Sequence, residues 1–142
     1  MNSPKSYKEI LEIKPFVIVN IVGTSMLPLL HEGVDTVKVA RRVRPLVRGD
    51  VVLFNRDSKL VLHRIIRVKK NKEETTYDIC GDNQVLLEKN VPDSTIFGVM
   101  EGYYKKEEYI DISNKEYIKY YKKRMRNRIL RKFKSFLSRL FK

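Results

Sequence analysis

The chain has 142 residues, 42% of them apolar and 33% charged, with a formal net charge of +13. That length holds one good core and not two, and the apolar share excludes a wholly disordered chain. The charge is local: residues 1–114 carry 18 Lys and Arg against 16 Asp and Glu, whereas residues 115–142 carry 12 against 1. The basicity belongs to a tail and does not make the whole domain a nucleic-acid binder.

Residues 4–13, PKSYKEILEI, predict a short helix: Pro4 falls early, Ile10, Leu11 and Ile13 share a side, and Pro15 ends it. From Phe16 onward the helical period disappears, replaced by the short β-branched runs FVIVNIV, DTVKVARRV, DVVLFNR, LVLHRIIRV, TTYDIC and IFGVMEGYYK. Turn signals separate them at Pro28, Glu32-Gly33, Pro45, Arg48-Gly49-Asp50, Asn71, Gly81-Asp82-Asn83 and Pro92-Asp93-Ser94. Six or more such strands without a βαβ unit predict a mainly β fold, an antiparallel β-barrel or folded sheet. In KLVLHRIIRV, Leu60, Leu62, Arg64 and Ile66 share one face. Val61, His63, Ile65 and Arg67 share the other, so both faces are partly buried.

Cys80, the only cysteine, reads as a buried strand residue. It leaves no internal disulfide and no four-ligand zinc site, and no cofactor or metal is expected. The run FVIVNIVG is about half a bilayer-spanning helix and lacks the flanks of an export signal. With no span, signal or disulfide, the expected location is the cytoplasm or the cytoplasmic face of a membrane.

The tail, NKEYIKYYKKRMRNRILRKFKSFLSRLFK, has no Gly or Pro and predicts one long helix of about 25 residues. Its apolar stripe runs through Ile118, Tyr121, Met125, Ile129, Phe133, Phe136, Leu137 and Leu140, with most of the Lys and Arg off that stripe. The organisation is thus a helical lead-in (1–15), a β domain (16–114) and a basic amphipathic tail (115–142).

Chemistry centres on VGTSMLPLL. A serine in an apolar turn is either satisfied structurally or activated, and activation needs a base within hydrogen-bond reach. His31, in LLHEGV, reads as a solvated turn residue. His63 lies mid-strand among apolar neighbours, either a hydrogen-bonded core histidine or a base. Gly81-Asp82-Asn83 follows with a carboxylate able to orient an imidazole, although Asp82 also suits a plain turn-former. Asp50, in the Arg48-Gly49-Asp50 turn, reads as structural.

Five stretches in register, SMLP (25–28), RGDVVLF (48–54), LHRIIRV (62–68), CGDNQ (80–84) and VPDSTIFGVM (91–100), resemble the signal peptidase I superfamily, over about residues 18–102. The histidine in HRI, where many bacterial members have lysine, is similar to the endoplasmic-reticulum type and its bacterial and archaeal relatives. The resemblance implies a β-rich fold with a shallow cleft, Ser25 as nucleophile and His63 as general base. It favours Asp82 as the orienting carboxylate, with Glu88 as the second candidate. Val22, Gly23, Met26 and Leu62 would meet the substrate, with Met26 and Pro28 shaping the nucleophile's turn. The substrate would be a leader or signal peptide bound as an added strand and cut after small residues.

Three departures from the family pattern stand out, one of them the short loop between the base strand and CGDNQ, which leaves little room for a cap domain. Gly23 occupies a position where members often carry a hydroxyl that helps hold the oxyanion, and the expected N-terminal membrane span has no counterpart in these residues. The competing reading is a weakly active or inactive peptide-binding module on the same fold. The tail has three readings: packing on the β domain with its charges solvated, contact with an anionic membrane, or, less favoured, binding to nucleic acid. A monomer is expected.

Overall fold

The computed structural model describes residues 4–141. It is mainly β. Helix α1 (Pro4–Ile13) leads into β1 (Phe16–Asn20), β2 (Thr36–Arg41), β3 (Val51–Arg56), β4 (Lys59–Lys69), β5 (Thr76–Cys80), β6 (Glu88–Pro92), β7 (Ile96–Lys105) and β8 (Glu108–Asp111). In β1 exposed and buried residues alternate, as expected with one face toward solvent, whereas Val51 to Phe54 of β3 are all buried by packing on both faces. The β3–β4 hairpin turns through Asp57 and Ser58, both at positive φ, a primed turn whose twist matches the strands it joins.

Pairing is antiparallel, in the order β1-β2-β7-β3-β4-β5-β6, with β8 on β7. The end strands do not meet, so the sheet is open and folded, not a closed barrel. Two strands, β6 and β8, lie outside the predicted runs. Both are short and polar, and β6 buries only Val91, so neither carries a period to read.

Each side of the sheet has its own core. Val19, Val37, Val39, Leu53, Leu62 and Met100 pack on one side beneath Tyr7 and Leu11 of α1. Val52, Phe54, Val61, Ile65, Ile79 and Val99 pack on the other. Leu62 and Ile65 of β4 therefore belong to different cores, as the alternation in KLVLHRIIRV requires.

The tail is not one helix. It forms α2 (Lys115–Arg126) and α3 (Arg128–Leu140), broken at Asn127, where ψ is 2°. Asparagine is a poor helix interior and a good terminus. The guanidinium of Arg131 donates to Arg124 O at 2.8 Å, supplying a carbonyl at the break with a side-chain partner. Asn114 caps α2 by accepting from Tyr117 N–H at 3.0 Å. Tyr117 and Met125 are buried, so the first half of the predicted stripe packs on the β domain, while α3 buries none of its residues.

Candidate active site

The position of His63 follows from strand pairing. Residues Lys59 to His63 of β4 pair with β3 alone, and β5 joins the other edge only from Arg64, opposite Cys80. The chain then leaves β5 through Gly81-Asp82-Asn83, beside the imidazole. There Asn83 N–H donates to Ser25 O at 2.9 Å, and the Asn83 side-chain amide donates to Thr24 O at 3.1 Å. A turn on one side of His63 thus clamps the serine loop to it. Glycine is required at position 81, because a Cβ there would stand 2.6 Å from Ser25 O and 3.1 Å from His63 Nε2.

Within this clamp, Ser25 Oγ lies 3.0 Å from His63 Nε2. Ser25 is half-buried, and His63 is buried against Phe54 in an edge-on contact. Burial, and then the Arg56 guanidinium, push the imidazole from 6.5 down to about 4, against a smaller opposing pull from Asp82. The ring is therefore neutral near pH 7. With Nε2 accepting the serine O–H, its proton sits on Nδ1.

The two candidate carboxylates divide differently from the sequence expectation. Asp82 does not hold the imidazole. Its Oδ1 and Oδ2 each accept from Arg64, at 2.9 Å, and Oδ2 also accepts from Tyr120 Oη at 2.8 Å. Its acidic function is consumed by a fully buried arginine. Glu88, at the start of β6, is the carboxylate facing the ring, with Oε1 3.4 Å from His63 Nδ1. That approach is not a hydrogen bond, since Nδ1 has no hydrogen-bond partner and Glu88 Oε1 is also bonded to Arg56; with the ring neutral it is no ion pair either.

Ser25 and His63 lie in a cleft of about 560 Å³ walled by Val19, Ile21 and Val22 on one side and Leu60, Val61 and Leu62 on the other. Both walls come from backbone with a free edge: β1 ends the sheet, and Lys59 to His63 of β4 have no partner on the β5 side. Met26 lies buried beneath the serine turn, where its Sδ accepts from Asp82 N–H at 3.4 Å, and the Leu27–Pro28 bond is cis. Gly23 sits at φ +81° with open space around its α-carbon, so it shapes the chain's entry to the turn and offers no hydroxyl. The turn's backbone bonds begin with Leu27 N–H to Thr24 O, and the Ser25 N–H takes no part in them.

Several residues that build the site carry no role in the sequence expectations. Arg64 is wholly buried, donating to Asp82, to Gly49 O at 2.8 Å and to Tyr117 Oη at 2.9 Å. Arg124 of α2 holds Asp82 O at 2.8 Å. An arginine at an inward position of a strand buried on both faces was the available clue to the first; the tail residues had none. His31 lies outside the site, in a turn held by Asp35 and Lys105, and Asp50 pairs with Arg44. Among the described residues no cluster of His, Cys, Asp or Glu could hold a metal ion.

No protein-family model matches the chain, and no curated protein matches it.

In an NMR titration, the His63 ring is expected to protonate with a midpoint of about 4, and Arg56→Gln is expected to raise that midpoint by removing a neighbouring cation. The neutral ring's contribution to folding is complete above 6.5 and is lost as pH falls through about 4. Asp82→Asn breaks the Arg64 pair, and urea denaturation is expected to show a loss of about 3 kcal/mol or more.

Proposed function

We propose that the protein is a serine endopeptidase of the signal-peptidase-like class. The observation that carries the reading is a serine hydroxyl 3.0 Å from the Nε2 of a buried neutral histidine, at the floor of a cleft walled by two free strand edges. A peptide entering as an extended strand finds backbone donors and acceptors on those edges, and side-chain space bounded by valines, leucines and isoleucine. Such walls favour apolar side chains, and the resemblance to the signal peptidase I superfamily implies that those before the cut are small. The five stretches that resemble the signal peptidase I superfamily point to the same chemistry and to a leader or signal peptide as substrate.

In this mechanism Ser25 Oγ attacks the carbonyl carbon of the scissile bond as its proton passes to His63 Nε2. The carbonyl π pair moves to oxygen, where the Ser25 N–H is available as a donor, the role of an oxyanion hole. Collapse expels the amine, which takes the proton from His63 and leaves an acyl-enzyme. Water then attacks the ester, His63 again accepts the proton, and release of the acid restores Ser25. Glu88 faces the Nδ1 proton throughout and is the positioning carboxylate of this scheme. The location proposed for this action is the cytosol or a cytoplasmic membrane face; among the described residues no helix is long and apolar enough to cross a membrane.

A second reading, a peptide-binding module of weak activity, draws on the missing hydroxyl at Gly23 and the absence of a hydrogen bond at His63 Nδ1.

Incubation with a peptide library, followed by mass spectrometry, separates the two. Cleavage after small residues is expected, falling by about 10⁴-fold or more in Ser25→Ala and in His63→Ala. Its rate should hold on the neutral side and drop with a midpoint of about 4 as His63 protonates. Equal products from wild type and Ser25→Ala would establish the binding module. Glu88→Gln is expected to lower kcat about tenfold while leaving KM unchanged. An unchanged kcat would remove Glu88 from the mechanism.

A further inference from the structure

Helix α3 is amphipathic the wrong way round for a helix packed on its own domain. Its contacts with the body are polar. Arg128 donates to Val85 O at 2.8 Å, Arg131 donates to Arg124 O, and Ser135 lines a depression shared with residues 83–88. At about 100° per residue these positions occupy one face. Ile129, Leu130, Phe133, Phe136, Leu140 and Phe141 occupy the opposite face, each at least half exposed. A globular domain has no use for such a stripe in water.

We infer that this outward face is a docking surface for an anionic phospholipid bilayer. Charge decides the occupant. The helix carries five basic residues and no acidic one. Lys132 and Arg139 fall along one border of the stripe and Lys134 along the other, where long cationic side chains reach phosphates while phenylalanines enter the acyl boundary. A second copy would bring an equally cationic helix against the first. Nucleic acid would take the lysines and arginines but leave the phenylalanines and leucines wet. An anionic bilayer satisfies both sets of side chains at once.

Docked in this way, the helix would set the catalytic cleft close to the lipid. Ser135 shares its depression with Arg56 and Glu88, which also stand beside His63, and with the exposed Leu86. The surface itself needs nothing from Ser25, so its failure would leave the peptidase reading standing.

Co-sedimentation of the full chain with vesicles tests it. Binding to vesicles of mixed phosphatidylcholine and phosphatidylglycerol is expected, at least about tenfold tighter than to phosphatidylcholine alone. Phe133→Ser combined with Phe136→Ser should weaken it on the order of 30-fold. Lys132→Glu with Lys134→Glu should erase the preference for the anionic vesicles. All four positions are exposed, so thermal unfolding of both variants should match wild type, confirming that lost binding is not lost fold. Absence of vesicle binding by the wild-type chain, or binding that both phenylalanine substitutions leave intact, would overturn the inference. So would a dimer in analytical ultracentrifugation that the phenylalanine variant abolishes, which would assign the face to a second copy.

Discussion

The buried pair of Arg64 and Asp82 is the joint on which the site depends. Arg64 is adjacent to His63 on β4, and Asp82 sits in the turn whose next residue clamps Ser25 O. Two bonds at 2.9 Å between them fix the distance from β4 to the clamp, and hence from His63 Nε2 to Ser25 Oγ. Such a pair is costly to desolvate and is seldom a net gain in stability over an apolar substitute. What it supplies is geometry: a planar guanidinium held by a bidentate carboxylate, a backbone carbonyl and a phenol has one orientation available.

The tail becomes intelligible from the same joint. Tyr117, Tyr120 and Arg124 of α2 close the network from outside the sheet, the first on Arg64 and the others on Asp82. Rings of Tyr117 and Tyr121 also lie 5.6 and 5.0 Å from the Arg64 guanidinium, within cation–π range. Residues that look in the sequence like part of a basic appendage therefore complete the support of the serine turn. Asp82 belongs to the buried scaffold, and the carboxylate facing the imidazole is the one on β6, where the sequence offered no strand.

How far the chain could be read in advance divides along physical lines. Strands with β-branched runs and helix α1 were legible because burial on one or two faces imposes a period. The nearness of Ser25 to His63 was legible through motif order. The choice between Asp82 and Glu88 was not, because both lie near the imidazole in sequence order, and only the side-chain position of Arg64 decides which carboxylate is already occupied. The break at Asn127 was equally hidden: the apolar stripe runs through it at helical spacing, and what ends α2 is a local dihedral that an arginine from the next turn helps to hold.

That break also separates two uses of one continuous stripe. Before it, Ile118, Tyr121 and Met125 meet the β domain; after it, the helix presents Arg128, Arg131 and Ser135 to the body and turns its phenylalanines outward. A straight helix would have kept a single apolar face in line and buried its second half, or lifted the whole tail away. Kinking at Asn127 lets α2 hold the Asp82 turn while α3 exposes the opposite chemistry. The physical link between them is short: Arg124, which holds Asp82 O, also receives Arg131 on its own carbonyl. Two successive hydrogen bonds, Arg131 to Arg124 O and Arg124 to Asp82 O, thus join α3 to the turn whose next residue holds Ser25 O.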